Sequence, residues 1–99
     1  MCWGIPGRVV EVEGMYAKVD VGGTLIDAVL GVDDISVGDY VVVHAGLVVG
    51  KLSREEFIES LQTLMELQVA NYVDEGLSES EARKIVLEKF RSVLSLLEM

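Results

Sequence analysis

The stretch YVVVHAGLVVGKLSREEF, residues 40–57, contains both kinds of secondary structure that the chain is expected to adopt. Apolar runs on either side of Ala45-Gly46 predict two short strands joined at that pair. The pattern changes at Ser53, which is followed three residues later by Glu56, the signature of a helical capping box. The stretch therefore predicts that a β-rich half of the chain ends here and that a helical half begins.

The residues before this stretch predict three more strands, separated by turns that contain glycine. The segment MYAKVDV alternates apolar and polar residues, which is the period of a strand with one buried face. Gly22-Gly23 supplies the positive backbone angles of a two-residue hairpin turn. The three strands are GRVVEVE (7–13), MYAKVDV (15–21) and TLIDAVL (24–30). Five short strands in this length predict a small closed or nearly closed barrel, because closure removes exposed sheet edges.

The residues from Ser53 to about residue 76 predict a first helix. Leu52 and Phe57 flank the capping box in the positions of a hydrophobic staple, and Gly76 is suited to the C-terminal cap. Residues at helical spacing form one largely apolar stripe. The stripe comprises Phe57, Leu61, Leu64, Met65, Gln68 and Tyr72.

A second helix is predicted from Glu79 to about Leu97, and it begins with a repeat of the capping device, Ser78 with Glu81. Because the loop between the helices is short, the pair is expected to form an antiparallel hairpin. The residues expected to line its apolar face are Ala82, Ile85, Val86, Phe90, Val93, Leu94 and Leu97. We expect one domain, with the barrel over residues 1–52 and the helical hairpin over residues 53–99.

Composition excludes several classes of function. The net charge of −9 in 99 residues argues against nucleic acid as a partner, since phosphate binding needs clustered Lys and Arg. No apolar run approaches the ~20 residues that span a bilayer, so no membrane association is expected. A single cysteine cannot form an internal disulfide, which leads us to expect a cytoplasmic protein.

The only cysteine, Cys2, lies in the opening sequence MCWGIPG. If Met1 is removed, Cys2 has both a thiol and a free amino group, and a nearby ammonium favours the reactive thiolate. Pro6 biases the preceding residue to an extended conformation, so an extended arm with Trp3 and Ile5 as apolar contacts is expected. The alternative is that Cys2 has no function and that its neighbours fold back onto the barrel.

The only histidine, His44, ends a predicted strand. It could be a metal ligand, an acid–base group or an ordinary barrel residue. A thiolate and an imidazole together suit iron, zinc or copper, but stable sites usually need three or four ligands. A metal held by Cys2 and His44 would therefore be shared with a partner or held transiently. The carboxylate pairs Asp33-Asp34 and Glu55-Glu56 are expected to be a solvated turn and a helix start.

Two motifs, MCWGIPGRVVEV (1–12) and VGDYVVVHAGLVVGKL (37–52), resemble the HypC/HupF family of [NiFe] hydrogenase maturation chaperones. The resemblance covers residues 1 to about 70. It implies a non-enzymatic assembly factor with an OB-like barrel and a C-terminal helix. It also implies pairing with the iron–sulfur protein HypD, assembly of the Fe(CN)₂CO unit, and delivery of that iron to the hydrogenase large-subunit precursor.

The resemblance also implies roles for individual residues. The essential cysteine of the family maps onto Cys2 and its histidine onto His44, both implicated in holding iron or contacting the partner. Trp3, Ile5 and Pro6 become expected partner contacts. The family framework is matched by an Ile5-Pro6-Gly7 turn and an Ala45-Gly46 turn.

The chain departs from the family pattern at Trp3, where an aliphatic residue is commoner, and in its second helix, which extends beyond the usual family end. The apolar face of that helix needs burial against the first helix or against a second copy, so a homo-oligomer is one expectation. Two alternatives stay open: an adaptor that binds through its helices without metal, and a thiol enzyme with Cys2 as nucleophile and His44 as base.

Overall fold

The computed structural model describes residues 4–98 and contains a closed five-stranded β-barrel followed by helices. The elements are β1 Ile5–Glu13, β2 Tyr16–Asp20, β3 Leu25–Leu30, β4 Tyr40–His44, β5 Leu47–Leu52, α1 Arg54–Asp74, α2 Glu79–Lys89, α3 Arg91–Leu94 and a 3-10 helix, Ser95–Glu98. The mainly β fold class with C-terminal helices is confirmed. None of the described helices has the length and apolar character needed to cross a membrane.

The barrel closes through one parallel pair of strands. The strand order is β1-β2-β3-β5-β4, and β4 pairs with β1 to complete the ring. All pairs are antiparallel except β3 with β5, where Val29 lies opposite Leu47. The two predicted turns are present, with positive φ at Gly22-Gly23 and at Ala45-Gly46.

The interior of the barrel is filled by small and β-branched side chains, which fit the pleated inner face of a narrow barrel. The alternation in MYAKVDV has the predicted effect, since Ala17 and Val19 are buried while Tyr16 and Lys18 are exposed. The buried residues of this cluster are Val9, Ala17, Val19, Ala28, Val41, Val43 and Val48.

The N-terminal residues correct two expectations. Ile5, Pro6 and Gly7 form neither a projecting arm nor a turn: they are the start of β1, and Ile5 pairs with Val43 of β4. Gly7 instead allows the backbone of β1 to lie close to Val19 of β2, because a Cβ at Gly7 would lie 2.6 Å from Val19 Cγ1. The expectation of an arm or a turn is wrong because residues 5–7 pair with β4. That strand is distant in sequence and becomes adjacent only when the barrel closes.

A second hydrophobic cluster joins the barrel to the helices. Phe57 of α1 is fully buried and stacks on the ring of Tyr40, with ring centroids 4.5 Å apart. Leu61 and Leu96 complete the buried part of this cluster, and Leu52 packs against it. Leu52 and Phe57 therefore pack into one cluster, as the predicted hydrophobic staple requires.

Arg8 connects the outer face of the barrel to the C-terminal end of the chain. Its Nε donates to the Gly38 carbonyl at 2.9 Å, and its Nη1 donates to the Leu96 carbonyl at 2.7 Å. Its guanidinium also lies 4.9 Å from the centre of the Tyr40 ring. Hydrogen bonds from a charged donor are stronger than neutral ones, so this contact stabilises the position of the 3-10 helix.

The two helix starts differ from each other. Ser53 and Glu56 form the full capping box, and the Ser53 backbone N–H, donating to the Glu56 carboxylate at 2.8 Å, lowers the pKa of that carboxyl. Ser78 accepts from the Glu81 backbone N–H, but its hydroxyl then donates to the Glu81 carboxylate. The expected repeat of the box is therefore only half formed, because that carboxylate accepts from the hydroxyl rather than from the Ser78 backbone.

The predicted second helix is broken at Phe90. This residue has φ −92 and ψ 1, which separates α2 from α3, and the chain then tightens into the 3-10 helix. With this break in the helix, Leu96 is buried in the cluster around Phe57. The prediction of one continuous helix to Leu97 did not place Leu96 on the apolar face. The expectation of one helix over Glu79 to Leu97 is corrected to three shorter elements.

The contact between α1 and α2 corrects the predicted stripe at one position. Val69 is buried against Ala82 and Val86, while Gln68 is exposed. Val69 continues the spacing of four residues from Phe57, which keeps it on the buried face. On the outside of this contact, the Arg83 guanidinium donates to Glu66 and lowers the pKa of that carboxyl.

Candidate functional site

Two of the predicted site residues, Cys2 and Trp3, lie outside the described residues. The others are placed at one end of the barrel, around the start of β1 and the end of β4. The structure describes Ile5, Pro6, His44, Ala45 and Gly46 there. Their positions define a surface that we call the β1–β4 end.

Gly4, immediately before β1, packs directly on β4. A Cβ at this position would lie 1.9 Å from Val42 Cγ1 and 3.3 Å from the Val43 carbonyl oxygen. Valine is stiff at χ1, so it cannot easily move aside. Only glycine lets the backbone lie this close to β4, and this fixes the direction from which the chain enters the barrel.

Replacing Gly4 with alanine is expected to lower the free energy of unfolding by about 1–3 kcal/mol, because overpacking against Val42 displaces the start of the chain. Gly50 is the matched control. It lies opposite Val42 in β5, and a Cβ added there would meet no atom within 4 Å. Gly50→Ala is expected to be neutral or stabilising by about 0.5 kcal/mol, because alanine loses less entropy than glycine in a strand. Urea unfolding of both variants measures the contrast, and equal effects would show that Gly4 is not closely packed.

Pro6 lies where β1 has a neighbour on only one side. It pairs with Val42 of β4, whereas the pairing of β1 with β2 begins only at Arg8. Proline has no N–H to donate and is therefore suited to such an edge. Residues 5–7 consequently have one side paired with β4 and the other side unpaired with any strand.

Pro6 lines two grooves between the barrel and the helices. The first, of about 360 Å³, lies between Gly4, Pro6 and Val42 of the barrel and the first half of α1, including Glu56 and Glu59. The second, of about 300 Å³, is lined on the barrel side by Ile5, Pro6 and Val21 and on the helical side by Leu64, Phe90 and Val93. Both grooves open next to the first described residues of the chain.

His44 is the last residue of β4, and its side chain is exposed. In the alternation of YVVVH, Val41 and Val43 are buried inside the barrel, which places His44 on the outer face with Val42. Ala45 follows with φ 52, a left-handed conformation that is strained for a residue with a Cβ. The Gly46 carbonyl accepts a hydrogen bond from the Val29 N–H at 2.8 Å, which holds the turn after His44 against β3.

The structure therefore brings the start of β1 and the end of β4 together. Gly4 contacts Val42 and Val43, the two residues that precede His44. Sequence reasoning identified His44 but missed Gly4 and the grooves against α1. The alternation of YVVVH was a usable signal that Val42 and His44 share a face, whereas the pairing of β4 with β1 had no local signal.

The remaining polar candidates have structural roles or are solvated. Asp33 and Asp34 are exposed in the connection before β4, and Glu56 caps α1. Within residues 4–98, no group of three or more His, Cys, Asp or Glu side chains could hold a metal ion. A metal ion at His44 would need further ligands from Cys2 or from another molecule.

Comparison with known proteins identifies a family whose model matches this part of the chain. The model of the HupF/HypC family matches residues 1–64, which include the barrel and the first half of α1. The rest of α1, α2, α3 and the 3-10 helix lie outside the matched region. The match thus includes every residue of the β1–β4 end.

Individual relatives match over a similar region. The hydrogenase maturation factor HypC of Cupriavidus necator is 39% identical over 71 residues, which cover 69% of this chain and 78% of that protein. HypC of Helicobacter hepaticus is 37% identical over 65 residues, covering 63% and 76%. HypC of Synechocystis is 34% identical over 76 residues, covering 70% of this chain and all of that protein.

Proposed function

The chain belongs to the HupF/HypC family, and on this premise we propose that it is a hydrogenase maturation chaperone that holds and delivers iron. In this proposal it pairs with a HypD-like iron–sulfur protein while the Fe(CN)₂CO unit is assembled. It then delivers that iron to the precursor of a [NiFe] hydrogenase large subunit. The observation that supports the proposal most is the packing of Gly4 on β4 beside His44.

The iron fragment is the cargo of this protein, and Cys2 and His44 are its proposed ligands. The sequence places Cys2 two residues before Gly4, and two residues of chain span at most about 7 Å. Gly4 itself contacts the two residues before His44. The chain between Cys2 and Gly4 is therefore short enough for the proposed site to combine a thiol with the His44 imidazole, and both ligand types bind iron.

The number of ligands fits transfer rather than storage. Two protein ligands hold iron weakly, and within the described residues His44 has no neighbouring group of acidic, His or Cys ligands to complete a site. A partner can complete the coordination during assembly and release it during delivery. The chaperone thus catalyses no reaction of its own in this proposal, and it works in the cytoplasm, where a single cysteine stays reduced.

The partner contact is proposed to include Trp3, Ile5 and Pro6. The side chain of Ile5 is half exposed although it is a large aliphatic residue. The two grooves that Pro6 lines could accept apolar side chains from the partner. Contacts in these grooves would hold the chain before Ile5, including Cys2, against the partner.

Replacing His44 with alanine is expected to reduce the iron content of the purified complex with the HypD-like protein at least about tenfold, because losing only a hydrogen-bond partner of a metal ligand already costs about 10–100-fold in metal affinity. Because the side chain is exposed, the free energy of unfolding should change by less than about 0.5 kcal/mol. Iron is measured after anaerobic purification of the complex.

The matched control is Val37→Ala, an exposed residue in the connection before β4. It should leave the iron content unchanged. If His44→Ala retains wild-type iron while the complex still forms, His44 is not a ligand and the iron is held without it.

A further inference from the structure

The outer face of the barrel contains an apolar row that the proposed iron site does not use. Its members are consecutive partners across three strands: Tyr16 of β2 lies opposite Val29 of β3, and Val29 lies opposite Leu47 of β5. Leu47 in turn lies opposite His44 of β4. Directly opposed residues point to the same face of a sheet. The row therefore begins beside His44 and crosses the outside of the barrel.

The side chains of the row are exposed to an unusual degree for their size. Tyr16 is 62% exposed, Val29 37% and Leu47 39%, and the adjacent Met15 is 67% exposed. Tyrosine and methionine are enriched in protein interfaces, and tyrosine is among the residues that contribute most to binding. A groove of about 600 Å³ lies along Met15, Tyr16 and Val29.

The backbone under the row is held in place by hydrogen bonds. The Leu30 N–H donates to the Met15 carbonyl, and the Val29 N–H donates to the Gly46 carbonyl, each at 2.8 Å. These bonds fix the two turns at this end of the barrel to β3. Little backbone ordering would then be needed on binding, which favours affinity.

The charge around the row is acidic. Glu11 and Glu13 of β1 line the groove, and within residues 4–98 neither forms a salt bridge. Lys18 is the basic residue of the rim and pairs with Asp27 at 3.2 Å. An acidic rim around an apolar row is complementary to an apolar surface surrounded by Lys and Arg. A second copy of this chain would bring like charges together.

We propose that this row, from Tyr16 through Val29 to Leu47, is a docking surface for a protein partner with an apolar centre and a basic rim. The inference deepens the proposed function, because the partner would be one of the two proteins between which the iron passes. Contact along the row would place the partner beside His44, at the end of the barrel where the iron is proposed to lie.

The test uses the double variant Tyr16→Thr/Val29→Thr, in which β-branched residues preserve strand propensity. Purified HypD-like protein and purified large-subunit precursor are the two probes, and the dissociation constant of each is measured anaerobically. The double variant is expected to weaken binding of one probe at least about tenfold. Leu25→Thr, an exposed apolar position on β3 outside the row, is the matched control and should change affinity less than about twofold.

A charge variant tests the nature of the partner. Glu11→Lys/Glu13→Lys is expected to slow association with the same probe by roughly tenfold at low salt and less at high salt. Unchanged affinity of the Tyr16/Val29 variant for both probes would overturn the inference. A lower molecular mass of this variant in solution, compared with wild type, would also overturn it, because a second copy would then cover the row.

Comparing the Tyr16/Val29 variant with Cys2→Ala distinguishes failure of the docking role from failure of the proposed function. If the Tyr16/Val29 variant binds both probes normally while Cys2→Ala loses iron, the row has no docking role and the proposed function stands. If the Tyr16/Val29 variant loses binding while Cys2→Ala retains iron, the docking role stands and the proposed iron site is wrong.

Discussion

Replacing Phe57 with alanine is expected to lower the free energy of unfolding by about 3–5 kcal/mol, a large fraction of the roughly 5–15 kcal/mol that is typical of a native domain. The side chain is fully buried, and its ring stacks on Tyr40 of the barrel. Truncation removes that contact and leaves a cavity between α1, β4 and Leu96. The loss includes both the transfer free energy of the ring and the cost of the cavity.

Urea unfolding followed by circular dichroism measures this effect. The matched control is Leu67→Ala, an exposed apolar residue on the same helix, for which a change below about 0.5 kcal/mol is expected. Because the cluster joins strands and helices, both should unfold in one transition in the wild-type chain. A small effect of Phe57→Ala would show that the helices contribute little to the stability of the barrel.

The elements that could be predicted from sequence are those with local chemical signals. The Ala45-Gly46 turn lies between two apolar runs, and Ser53 with Glu56 forms the capping box that begins α1. These signals depend only on residues within a few positions of one another. The same applies to the alternation in β2, which places Ala17 inside the barrel.

The break at Phe90 could not be predicted in the same way. The segment after it keeps helical spacing of apolar residues and contains neither glycine nor proline. The break accompanies contacts distant in sequence: Leu96 is buried beside Phe57, and Arg8 donates to the Leu96 carbonyl. Tertiary contacts thus determine where the helix ends.

The candidate site also combines a feature with a local sequence signal and features that depend on contacts distant in sequence. His44 stood out as the only histidine, but the packing of Gly4 on Val42 joins residues 38 positions apart. The row from Tyr16 to Leu47 likewise depends on the register between β3 and β5, which are separated along the chain by β4. Neither feature has a local signal, so both required the closed barrel to be known.

Replacing Cys2 with alanine is expected to abolish iron in the complex with the HypD-like protein, a loss of at least about a hundredfold if the thiolate is the principal ligand. A neutral methyl group cannot bind iron. His44 alone cannot compensate, since within the described residues no cluster of ligands surrounds it. The free energy of unfolding is expected to be unchanged, because the variant leaves Gly4 and the pairing of β1 with β4 intact.

Anaerobic capture from a native, untagged N-terminus, comparing wild type with Cys2→Ala, tests the proposed function most directly. Captured HypD-like protein and iron are quantified in the same sample. We predict that the wild-type chain retains both and that the variant retains no iron. Equal partner and equal iron with Cys2→Ala would contradict the proposed function, and binding would then be attributed to other surfaces, such as the helices.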